Sequence, residues 1–151
     1  MKSNIIDFLR HAAPFLAVIA LWRFDAPVWN PAGVLALIPI FYYTFVRPVK
    51  WFAVFGALFC FLVDYNMNLA LFWTAMYCIM YAANGFQNYF DVTSAPMRGI
   101  GVFALWFGVA CFILAAHGAT WDGVFSAIWI FIWTCIMYLP ITGITRGVQN
   151  D

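Results

Sequence analysis

The chain has 151 residues, 66% of them hydrophobic and 9% charged, with a formal net charge of +1. Soluble domains run about 45–50% apolar and about 25% charged, and small ones leave much of their surface in water, so this composition argues against a soluble globule. The near-neutral charge, with no basic patch, argues against a nucleic-acid partner.

In chain order, the apolar runs predict six spans at about 11–23, 31–46, 49–64, 67–85, 99–116 and 123–142. Each approaches the roughly 17–25 residues that a bilayer core of about 30 Å demands. The charged start, Met1 to Arg10, leads into the first span and lacks the small-residue cleavage site of a signal peptide. Trp51 to Ala83 reads as nearly continuous, and as one helix it would extend about 50 Å, too long for a single crossing. The polar cluster Asp64-Tyr65-Asn66-Met67-Asn68 therefore predicts a tight turn between the third and fourth spans. Pro31 is expected to open the second span and Pro48 the third, at first-turn positions where the missing N–H costs least. Pro14 and Pro39 lie within spans and are expected to kink them.

With six spans, Lys2, Arg10, Arg47, Lys50, Arg98 and Arg146 share one side and Arg23 alone takes the other. This bias predicts that both termini are cytoplasmic. Trp22, Trp29 and Trp121 are expected at the outer boundary, with Tyr42, Tyr43, Trp51, Tyr81 and Tyr89 at the inner one. The fold class that emerges is all-α: a polytopic membrane protein, a compact bundle of about six transmembrane helices forming one transmembrane domain over residues 1–151.

Groups able to perform chemistry are few. His11 and His117 fall near opposite faces, unsuited to holding one haem iron together, and the acidic residues form no close pair within a span. Cys60, Cys78, Cys111 and Cys135 fall in apolar runs without metal-ligand spacing and read as small packing residues. The sequence thus indicates no catalytic residues, no cofactor and no metal, and it favours a non-enzyme. Ala13/Ala17, Ala32/Ala36, Ala53/Ala57, Ala104/Gly108 and Gly143/Gly147 are small-residue pairs that would permit close helix approach. Asp64 closes its span directly and admits two readings. It is either an intramembrane carboxylate with a functional role or a cap for the following helix, and Asn66 and Asn68 could share either role.

The stretch Asn30 to Asp64 resembles the core of the rod shape-determining protein MreD family. Asn30-Pro31 opens an apolar span, followed by Tyr42-Tyr43, Arg47-Pro48, a span containing Gly56, and the closing Leu62-Val63-Asp64. Where the family has a glycine-rich segment after the aspartate, this chain has Tyr65-Asn66-Met67-Asn68-Leu69. The resemblance implies a six-helix subunit of the bacterial cytoplasmic (inner) membrane. Its implied role is a non-enzymatic scaffold or adaptor in cell shape and peptidoglycan elongation, with MreC-like, RodA-like and class B penicillin-binding protein partners. Pro31, Pro48, Gly56, Asp64, Asn66 and Asn68 become the candidate structural and interaction residues. The alternative is a small-molecule-binding membrane component of a vitamin-uptake-type transporter. It requires a polar cavity, which Asp64, Tyr65, Asn66 and Asn68 could line.

Overall fold

Apolar runs punctuated by proline, asparagine and charged residues fold as helices throughout the described part of the chain. The computed structural model describes residues 2–23, 34–49, 51–87, 96–118 and 120–150, and every regular element among them is helical. Helix α1 is Lys2–Arg23. It begins well before the expected residue 11, since residues 2–10 contain neither glycine nor proline to stop it.

The second helical stretch has three parts: a 3₁₀ turn at Val34–Ala36, helix α2 at Leu37–Phe41, and a π-helical turn at Tyr42–Val46. Pro39 has no N–H for the Leu35 carbonyl, so the first turn tightens to the 3₁₀ form. At the other end the Arg47 N–H reaches back five residues to the Tyr42 carbonyl at 2.8 Å, as a π turn requires. Pro48 then forces Arg47 out of helical space, to φ −138° and ψ 76°, and the helix stops.

Pro48 is thus a helix breaker, not the opening residue of the third helix. Helix α3 is Phe52–Asn66, four residues further on, entered through Trp51 at φ 67°. The expected opening at Pro31 lies outside the described residues. Helices α4, Phe72–Gln87, α5, Pro96–Gly118, and α6, Trp121–Asn150, complete the chain. Helix α6 runs past residue 142 despite Pro140, and the Thr142 hydroxyl there donates to the Tyr138 carbonyl at 2.6 Å.

Helices α3 and α4 pair as a hairpin, α5 packs along α6, and α1 and α6 both flank the short second stretch. That stretch is apolar on all sides, and its residues from Val34 to Tyr43 are buried, as an all-round apolar helix inside a protein should be. Tyr42 and Tyr43 are accordingly buried among the helices and do not stand on the outer surface of the bundle. They belong to an aromatic core in which Phe41 stacks on Trp106 at 5.7 Å, Phe103 on Tyr138 at 4.7 Å and Trp73 on Phe107 at 5.4 Å. Of the small-residue pairs, Ala104/Gly108 serves close approach: a Cβ on Gly108 would stand 3.1 Å from the Phe131 ring of α6.

Two helical segments, Gly99–His117 and Trp121–Gly147, are long and apolar enough to cross a membrane. The apolar segments His11–Arg23, Val34–Val46, Phe52–Asn66 and Phe72–Ala83 are shorter, at 10–17 residues.

Candidate functional site: the hairpin carboxylate and its supports

Helix α3 buries Phe52, Gly56, Cys60, Val63 and Asp64, a stripe at helical spacing that faces the bundle. Asp64 therefore points inward, and the residue is only 1% exposed. Its carboxylate reaches across the hairpin to the first turn of α4. One oxygen accepts the Trp73 N–H at 2.8 Å, and the other accepts the Thr74 N–H at 2.9 Å and the Thr74 hydroxyl at 2.7 Å.

These amides are among the four that every α-helix leaves without an internal partner, and the positive end of the helix dipole favours a carboxylate there. Leu69-Ala70-Leu71, immediately before α4, offers no side-chain oxygen. Asp64 supplies the cap from the preceding helix. It is thus both buried and capping, two properties that the sequence reading had set against each other.

The turn itself occupies Met67–Leu71, later than the expected Asp64–Asn68, because α3 continues through Asn66. The Leu69 N–H bonds the Asp64 carbonyl at 2.9 Å and the Asn68 N–H bonds the Tyr65 carbonyl at 3.3 Å. With Asn68 at φ 54°, this is a Schellman ending in which asparagine takes the left-handed position. Asn68→Gly is expected to preserve thermal stability in detergent, whereas Asn68→Val should cost about 1–2 kcal/mol, since a β-branched residue resists positive φ. An equal response to both substitutions would contradict this role. Asn66 stays in the last turn of α3 and is exposed, as is Tyr65.

Two turns back along α3, Gly56 makes room for Tyr77 of α4. A Cβ built on Gly56 would lie 2.5 Å from the Tyr77 hydroxyl oxygen. That hydroxyl donates to the Ala53 carbonyl at 2.7 Å, which leaves its oxygen to accept from the Thr44 hydroxyl at 3.2 Å. A third tie joins α4 to α5, where the Trp106 indole N–H donates to the Met76 carbonyl at 3.1 Å.

The structure therefore gathers Asp64, Asn66 and Asn68 at one end of the hairpin and sets Gly56 against Tyr77 further along it. Pro48 stands apart in the connection before α3, and Pro31 is not among the described residues. Thr74, Tyr77 and Thr44 were not singled out by the sequence. The uncapped start of α4 was the available signal for a remote cap, while nothing local marks the Tyr77 contacts. Among the described residues no three His, Cys, Asp or Glu side chains come together as a metal would require, and the four cysteines are free thiols. Compared with known proteins, the chain matches no family model, no curated protein and no solved structure.

Proposed function

We propose that the chain is an integral membrane scaffold, non-enzymatic, that crosses the bacterial cytoplasmic membrane six times with both termini inside. The outward faces of α5 and α6 carry the membrane reading. Only 28% of the α5 window and 11% of the α6 window is buried, although both are apolar on every side. A core helix of a soluble protein would be enclosed, as residues 34–44 are here. Leu105, Phe112, Phe125 and Ile144 are instead more than two-thirds exposed, a surface suited to hydrocarbon. The Lys/Arg bias of six to one across the connections supports the orientation.

The polar groups of the hairpin support a scaffold over an enzyme. Asp64, Tyr77 and Trp106 spend their hydrogen bonds on holding α3, α4 and α5 together. The vitamin-uptake reading wants Asp64 and its neighbours around a polar cavity. Both carboxylate oxygens are engaged by α4, and Tyr65, Asn66 and Asn68 face outward, which weighs against it. The resemblance of Asn30 to Asp64 to the MreD family supplies the cell-elongation setting and the MreC-like, RodA-like and class B penicillin-binding protein partners.

Reporter fusions at Asp151 and at Gly118 are expected to fall on opposite sides of the membrane. The same side for both would remove the six-span topology. Affinity purification in mild detergent is expected to recover at least one of the three partners. Recovery of none, with the topology intact, would remove the elongation role and leave the membrane reading standing.

A further inference from the structure

Helix α3 turns an apolar band outward. Val54, Phe55, Leu58 and Phe61 are 43–62% exposed along it, and the band ends on two amphipathic aromatics, Trp51 at 80% and Tyr65 at 77% exposed. Rings of this kind belong at the level of lipid headgroups. From Trp51 to Tyr65 the chain rises about 21 Å, at about 1.5 Å per residue. A bilayer core of about 30 Å exceeds this by about 9 Å, and any tilt of α3 shortens its reach further.

The rest of the hairpin adds no height, since the apolar part of α4 runs only from Phe72 to Ala83, about 18 Å. Nor can the hairpin sink toward one surface. At one end Asn66 and Asn68 are exposed, and their short side chains cannot reach up out of hydrocarbon. Just before the other end stands Arg47, also exposed, whose charge is costly to bury in lipid. The α5–α6 pair differs. On α6 the exposed apolar surface extends from Trp121 to Ile144, about 35 Å, enough for a full bilayer with some tilt.

A hydrophobic face shorter than the surrounding core is accommodated by thinning of the bilayer beside it. The geometry points to such a thinned zone along α3, filled by phospholipid with short acyl chains, while α6 faces bilayer of ordinary depth. The inference rests on the membrane reading and adds to it a difference between two faces of one molecule.

The test uses the full chain in dioleoyl phosphatidylcholine vesicles with two trace photoreactive phosphatidylcholines, one of dilauroyl and one of dioleoyl length. Each carries a diazirine near the chain terminus, and cross-linked peptides are quantified by mass spectrometry. The ratio of short-chain to long-chain labelling, summed over each helix, is expected to be about threefold higher on residues 52–66 than on residues 125–144. A dierucoyl host thickens the bilayer and should widen that difference. Equal ratios on two labelled faces, or a difference indifferent to the host lipid, would overturn the thinned zone and leave the membrane reading intact. Labelling of α6 with none of α3 would overturn it too, since a protein surface such as a second copy would then cover the short face. Absence of lipid labelling on both helices would remove the membrane reading itself, and the inference with it.

Discussion

Asp64→Leu is expected to cost the bundle about 3–5 kcal/mol, a large part of the roughly 5–15 kcal/mol that holds a typical domain folded. The figure follows from what the carboxylate serves. Two backbone N–H groups lose their acceptor, that of Trp73 in a buried place and that of Thr74 in a half-buried one. Each buried donor left unpaired costs about 1–3 kcal/mol. An apolar replacement is often harmless when both partners of a polar pair are replaced together, but here the partners are main chain and cannot be removed. Asp64→Asn should be milder, at about 1–2 kcal/mol, because its amide offers one accepting oxygen where the carboxylate offers two. Its NH₂ group would then face a donor. Thr74→Val removes only the hydroxyl bond and should cost about 1 kcal/mol. Thermal unfolding of the three variants in detergent, with helicity as the probe, is expected to rank them Leu, Asn, Val from most to least damaging. A rank in which Asp64→Leu is no worse than Thr74→Val would show that α4 finds its cap elsewhere.

The helices were legible because each depends on a local property, an unbroken apolar run between polar or breaking residues. The features that position the candidate site depend on pairings between distant residues, and these were read less well. A cap was one of the two readings of Asp64, yet the turn was placed on it, because a capping aspartate is ordinarily the residue that begins its own helix. Here the side chain acts from the last turn of α3 on amides nine and ten residues away. Pro48 was read as a helix opener for a similar reason. Its effect falls on Arg47 before it, and the distance to Phe52 is set by how the chain re-enters the bundle through Trp51. The 3₁₀, α and π succession around Pro39 has its cause in the sequence. Its consequence, a short central helix enclosed by the others, comes from packing, and for that reason the burial of Tyr42 and Tyr43 was not legible in the sequence.

Gly56 gives the second large effect, and a double-mutant cycle isolates it. Gly56→Ala places a methyl group 2.5 Å from the Tyr77 hydroxyl oxygen and 2.9 Å from the ring carbon that bears it. Neither atom is a flexible end, because the hydroxyl is tied to the Ala53 carbonyl and the Thr44 hydroxyl and the ring stacks near Tyr81. Overpacking of this kind costs about 1–3 kcal/mol, and loss of the Tyr77 hydrogen bond adds about 1 kcal/mol if the ring is driven out. The expected total is about 2–4 kcal/mol, partly offset by the better helix propensity of alanine. Tyr77→Phe alone should cost about 1 kcal/mol, since it strands the buried Thr44 hydroxyl. In the Gly56→Ala background the same change removes the nearer of the two atoms that the new methyl group strikes and frees the ring to move away from it, so it should cost less than in the native chain or restore stability. The coupling between the two positions is therefore expected to be favourable by about 1 kcal/mol or more, beyond the additivity seen for independent sites. Strict additivity would mean that α3 and α4 shift apart freely to admit the methyl group. The close approach at Gly56 would then be a consequence of the hairpin and not one of the constraints that fix it.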